Sequence, residues 1–163
     1  MIIIGIDPGT ATTGYGVIVA KKINCRTKSN FKCLEYGTIK TSPLQTPSER
    51  LRILNNGLDK LLKKHKPEIL VVESLFFFRN FKTAMPVSQA KGVILLTAAK
   101  KKVPVYEFTP LQVKMIVAGS GRAEKKEVQI KIKSLFNFKD IPKPDDAADA
   151  LAIALAYVFF KRA

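Results

Sequence analysis

Residues 2–9 read Ile2-Ile3-Ile4-Gly5-Ile6-Asp7-Pro8-Gly9. A short continuous apolar run closed by an Asp-Pro-Gly turn is the pattern of a strand buried on both faces, as in a sheet covered by helices on either side. Residues 14–20 (GYGVIVA) and 32–41 (KCLEYGTIKT) read as two further strands, joined through a basic polar tip near Arg26-Thr27-Lys28-Ser29-Asn30, so the chain opens as an antiparallel meander. Thr46-Pro47-Ser48-Glu49 then supplies an N-cap, a proline at the first helical position and a Glu three residues after the cap. The helix it starts carries Leu51, Leu54, Leu58, Leu61 and Leu62 on one face and stops near Lys66-Pro67. A second continuous apolar run, residues 68–73 (EILVVE), is another buried strand, and residues 103–108 (VPVYEF) are a fifth. Residues 82–102 are helical, with Pro86 expected to mark the true start, and Thr109-Pro110 opens a short helix that ends at Gly119-Ser120-Gly121. Residues 123–136 form a basic amphipathic helix, and the last helix runs from Asp145 to about Phe160. Three strands in a meander followed by strands alternating with helices predict an α/β fold: a five-stranded mixed sheet with helices on both faces, in a single domain over residues 1–163.

Composition bounds the function. The chain has 163 residues, 28 Lys and Arg against 13 Asp and Glu, and a formal net charge of +15. Hydrophobic residues make up 47%, enough for a buried core. No stretch reaches the roughly 18 apolar residues of a membrane span, and the N-terminus lacks the basic region and cleavage site of a signal peptide. The expectation is a soluble, cytoplasmic protein. Cys25 and Cys33 are too few for a disulfide framework and lack metal-ligand spacing; they read as free thiols that flank the hairpin tip and could face each other. So large a positive excess points to an extended polyanion as partner, which in a cytosol means nucleic acid.

With 13 acids in the chain, their placement carries information. Asp7 closes the first buried strand and Glu73 the fourth. If those strands are parallel neighbours, both carboxylates stand at one C-terminal edge, where open α/β sheets place their sites. Asp7 alone serves equally well as a turn residue, whereas an acid after Ile69-Leu70-Val71-Val72 is costly to bury without a partner. Asp145, Asp146 and Asp149 head the last helix. First-turn placement against the helix dipole accounts for Asp145. It does not account for Asp149, which lies a turn inside a helix that is apolar all round. Asp146 and Asp149 share a face, and the surrounding alanines let this helix approach the sheet closely. Four converging carboxylates would take up protons unless a cation neutralised them. Oxygen ligands without His or Cys suit Mg²⁺ or Mn²⁺ and not zinc. Two such ions are suited to phosphodiester hydrolysis.

Taken in order, Gly5-Ile6-Asp7-Pro8-Gly9 with Thr13-Gly14-Tyr15-Gly16, Val72-Glu73-Ser74-Leu75-Phe76, Gln89-Ala90-Lys91-Gly92, Gly119-Ser120-Gly121-Arg122-Ala123-Glu124-Lys125 and Asp146-Ala147-Ala148-Asp149-Ala150-Leu151-Ala152-Ile153-Ala154 resemble the RuvC family of bacterial Holliday junction resolvases. The resemblance runs from about residue 2 to residue 156. It implies a ribonuclease H-like fold, a homodimer, two Mg²⁺ per subunit with Mn²⁺ as a substitute, and paired nicking of four-way junction DNA in recombination and repair. It also implies work alongside the RuvA–RuvB branch-migration complex. By motif position, Asp7, Glu73, Asp146 and Asp149 match the family's catalytic, metal-binding carboxylates. Lys114 and Lys125 match basic residues needed for activity at the scissile phosphate, and Phe76 matches an aromatic that stacks on an unpaired base. Asp145 precedes the matched motif and is not carried over. Pro86 departs from the family pattern in a helix near the subunit interface, where Val93, Ile94 and Leu95 are the expected contact. The sole histidine, His65, near a helix C-terminus, reads as dipole compensation and solvation.

Other readings meet specific obstacles. Actin- and hexokinase-type ATP-binding proteins share the Gly-Ile-Asp-x-Gly-Thr look but close two such domains on the nucleotide, more than 163 residues hold. A non-catalytic DNA-binding module would have no need of four carboxylates. A ribonuclease H-like RNA-processing nuclease is the nearest alternative within the fold.

Overall fold

A computed structural model describes residues 1–21, 31–74 and 81–161, with side chains from residue 84 onward in the last segment. The expected hairpin tip, Cys25 and Phe76 lie outside the described residues. The strands are β1 (Ile2–Asp7), β2 (Thr12–Ala20), β3 (Phe31–Lys40), β4 (Ile69–Glu73) and β5 (Val105–Phe108). They form one mixed sheet in the order β3-β2-β1-β4-β5. β1 is antiparallel to β2 and β2 to β3, while β4 runs parallel to β1 and to β5. The helices are α1 (Pro47–His65), α2 (Phe81–Lys100), α3 (Pro110–Ala118), α4 (Lys125–Phe136) and α5 (Asp145–Phe160).

The unbroken apolar character of β1 follows from its place at the centre of the sheet. Ile4 and Ile6 face one core with Leu54, Leu58 and Leu62 of α1 and Ala90 and Ile94 of α2. Ile3, pointing the other way, joins Ile18 and Val71 beneath α3, α4 and α5. Local signals set the helix starts as expected. Thr46 accepts from the Glu49 amide at 3.3 Å while the Glu49 carboxylate accepts from the Thr46 amide at 2.8 Å, a closed capping box. Thr109 and Gln112 repeat the arrangement at α3, which ends on Gly119 at φ 82°.

Several expectations need correction. Pro86 does not start α2; the helix begins at Phe81 and runs through it. An exposed proline this near the helix start removes only an early hydrogen bond. Ile94, expected at a subunit contact, is fully buried against α1, because positions 90, 94 and 98 face the sheet side. Positions 85, 92 and 96 face outward instead, with Met85 68% and Leu96 55% exposed. His65 is not merely solvated: its Nε2 lies 2.7 Å from Glu35 Oε2, to which Lys64 also donates at 2.6 Å, tying the end of α1 to β3. Cys33 is a free thiol, and burial pushes its pKa up to about 11.

The closest contact between layers is made by α5. A Cβ built on Gly5 would fall on the carbonyl oxygen of Ala150 and 2.6 Å from the Ala154 nitrogen. One built on Gly14 would fall on the carbonyl oxygen of Asp146. Helix backbone therefore rests directly on strand backbone, as a run of alanines above glycines permits. The expected outcome in urea titration is that Gly5→Ala loses about 3 kcal/mol or more, since the obstructing atoms are backbone and cannot rotate away.

Candidate active site

The parallel pairing of β1 and β4 places Ile6 opposite Val72. The next residue on each strand is a carboxylate, so Asp7 and Glu73 end the two central strands side by side. On the other flank of β1, Asp7 is paired with Gly14 of β2. Since the Asp146 backbone lies directly on Gly14, the first turn of α5 is set over the same edge. Asp149, one turn further, lines a cavity of about 230 Å³ with Glu73, Lys114 and Lys125. α3 delivers Lys114 and the first residue of α4 delivers Lys125. Val113, Val128 and Ile153 make the rest of that cavity apolar, which strengthens charge interactions inside it.

The proton affinities register this crowding. Asp7 is pushed up to about 7, first by burial and then by the neighbouring charges of Asp149 and Asp146, against a smaller pull from Lys125. Glu73 is likewise raised to about 7 by burial, then by Asp7 and Asp149, with Lys114 and Lys125 opposing. Burial raises Asp149 also, offset in part by its hydrogen bond from Lys125. Three carboxyl groups are thus held above their ordinary range at one place.

Lys125 answers part of this charge. Its ammonium lies 2.8 Å from Asp149 and 3.7 Å from Asp145. Burial alone would lower its pKa, but Asp149 and Asp145 outweigh that and hold it above the usual lysine range. Asp145 is the residue the sequence reasoning left out. The signal was there in its spacing: four residues separate it from Asp149, so both lie on one helix face and one ammonium can serve both.

The four sequence-predicted carboxylates and both lysines thus meet at one sheet edge. Among the described residues, no three carboxylates converge tightly enough to enclose an ion. The donor set nonetheless fits a hard divalent cation, being oxygen only, mutually repelling and raised in proton affinity, with Lys125 already supplying one positive charge.

The family model for crossover junction endodeoxyribonuclease RuvC matches residues 3–157. The chain belongs to the RuvC family. It is 45% identical over 158 residues to the crossover junction endodeoxyribonuclease RuvC of Fusobacterium nucleatum, covering 97% of this chain and 80% of that one. RuvC of Thermus thermophilus superposes with a TM-score of 0.90 at 36% identity, over 99% of this chain and 96% of its own. The same bacterium's RuvC in complex with a Holliday junction substrate gives a TM-score of 0.87 at 33% identity, with the same coverage. These likenesses place the RuvC chain in the ribonuclease H-like fold, with the five-stranded mixed sheet and two helical layers found above.

A pH dependence follows for this RuvC chain. Unfolded, Asp7 and Glu73 lose their protons near 4; folded, they keep them to about 7. The folded state binds the extra protons between those values, so these groups lower stability as pH rises from about 4 to 7 and change it no further above. Without divalent ions, the melting temperature of the wild type relative to Asp7→Asn/Glu73→Gln should fall between pH 5 and 8. Mg²⁺ should restore it at pH 8 and have little effect at pH 5.

Proposed function

We propose that this RuvC chain is a structure-selective endonuclease, one nuclease domain over residues 1–163, that resolves four-way DNA junctions by paired symmetric nicks. The observation that carries the reading is the meeting of Asp7, Glu73 and Asp149 with Lys114 and Lys125 at one edge of a chain of charge +15. An acidic, cation-seeking site within a basic surface is what metal-assisted hydrolysis of a polyanion requires. The relatives' names and the Thermus complex with a Holliday junction substrate select a DNA junction over the RNA-processing alternative.

In the mechanism, Asp7, Glu73, Asp146 and Asp149 would hold two Mg²⁺, or Mn²⁺ in their place. Bound there, that pair would supply an activated water and charge neutralisation at the leaving oxygen. Asp7 and Glu73 release their protons as positive charge enters, so their raised values match the site to neutral pH. Lys125, paired with Asp149 and Asp145 at the mouth of the site, would turn its ammonium to the scissile phosphate. Lys114 neutralises the same phosphate from the α3 side. Phe76 stacks on an unpaired base beside the cut, worth roughly 1–3 kcal/mol. Two subunits, meeting through the outward Met85, Gly92 and Leu96 side of α2, bring two such sites to a two-fold symmetric substrate. Work alongside RuvA and RuvB fits the same role. Among the described residues no helix is long and apolar enough to cross a membrane, in keeping with an enzyme that acts on DNA in the cytoplasm.

Asp7→Asn should slow nicking of a synthetic four-way junction at least about 100-fold while junction binding survives. Near wild-type nicking by that variant would remove Asp7 from the assignment, and preferential cleavage of an RNA/DNA hybrid would overturn the junction reading. Leu96→Asp touches a position exposed on the single subunit and should leave its secondary structure unchanged by circular dichroism. It should shift sedimentation to a monomer at micromolar concentration and uncouple the two nicks; a dimer that persists would place the interface elsewhere.

A further inference from the structure

A second pocket opens on the other side of the same sheet edge. Its volume is about 120 Å³, and it lies between the β1–β2 turn, the end of β3 and the first turns of α1 and α2. Thr10, Thr13, Arg50 and Gln89 supply its polar groups, while Leu51 and Pro86 belong to an apolar floor. No acidic residue lines it.

Arg50 is held in place. Its Nε donates to Thr41 Oγ1 at 2.9 Å, and Thr41 Oγ1 in turn donates to the Thr10 carbonyl at 2.7 Å. The Thr13 hydroxyl donates to the Gly9 carbonyl at 2.8 Å, bracing the turn from within. The guanidinium is thus anchored to the loop that follows Asp7 and Pro8. Its two terminal nitrogens make no hydrogen bond or ion pair among the described residues, and Arg50, half-buried, lines the pocket. The first turn of α1 is not the source of the site, because its capping box already occupies the Thr46 and Glu49 amides.

We propose that this pocket is a second DNA subsite, which takes a phosphodiester of the strand running out from the catalytic edge, gripped by Arg50 with the sugar carbons over Leu51 and Pro86. A preorganised guanidinium with two free nitrogens matches two phosphate oxygens. Thr10 borders that position, and the absence of lining acids leaves no carboxylate to repel the anion. Gly9, in the pocket wall, lies two residues beyond Asp7, which sets the pocket beside the carboxylate edge. The subsite would fix the strand on one side of the cut while Lys114 and Lys125 hold it at the cut itself.

This inference rests on the nuclease reading above, and the test separates the two. Binding of a four-way junction and of plain duplex is measured for wild type, Arg50→Met and Gln89→Glu over a range of KCl in Ca²⁺, together with melting temperatures. A wild type that does not prefer the junction overturns the nuclease reading. Given that preference, Arg50→Met should weaken junction binding about tenfold and reduce the slope of log K against log salt by about one. Gln89→Glu, at an exposed rim position, should weaken binding without changing the melting temperature. The deciding measurement places a single neutral methylphosphonate at each phosphate within four nucleotides of the cut. One position should cost wild type affinity yet cost Arg50→Met nothing further. If the two losses add at every position, or if Arg50→Met lowers only the melting temperature, Arg50 is a strut between α1 and the turn and the pocket holds no phosphate.

Discussion

Helix backbone on strand backbone is the contact from which the rest of this molecule follows. Gly5 and Gly14 leave no side chain beneath α5, and the alanines of that helix bring down nothing larger than a methyl. The layer spacing at this point is therefore set by main-chain atoms, which cannot adjust by changing rotamer. That rigidity carries Asp146 and Asp149 to the edge where β1 and β4 end. A larger residue at either glycine would lift α5, and the carboxylates on it would move with the helix.

Closeness of this kind has an electrostatic consequence. Acids at the ends of doubly covered strands lose solvation, and a third acid from the helix adds repulsion. Asp7 and Glu73 respond by holding protons to about 7. Lys125 reduces the penalty by lying between Asp149 and Asp145, and the cavity places Lys114 opposite. The arrangement makes the site responsive to cations: an incoming positive charge is met by groups ready to give up protons and by an ammonium with a second acceptor on the same helix face. Outside this edge the other Lys and Arg far outnumber the remaining acids, so the surface that meets a polyanion is more basic than the net charge suggests.

Much of this was legible along the chain because the signals are local or periodic. Two apolar runs each ending in an acid announced central strands and an edge site, and the Thr46 and Thr109 caps announced helix starts through side chains three residues apart. The less legible features depend on partners distant in sequence. His65 and Glu35 are 30 residues apart and meet because α1 returns along β3. The inward face of α2 depends on the helix's rotation against α1, which put Ile94 in the core and Leu96 outside. Pro86 read as a helix boundary because its missing donor is normally decisive, yet near a helix start one lost bond leaves the element intact. Asp145 was discounted because a first-turn acid already has a sufficient local explanation, and its ion pair comes from another helix.

By itself the sequence determined the class of fold and which acids stand at strand ends and on one face of the last helix, since strand ends and helix periodicity are properties of residues in order. Tertiary structure decided what those residues face. It set Lys125 between two acids of α5, buried Asp7 and Glu73 deeply enough to hold their protons, and fastened Arg50 through Thr41 to the turn beyond Asp7. Each of these depends on distances between chain segments far apart in sequence, and such distances are fixed only when whole layers pack, here on two glycines and a row of alanines.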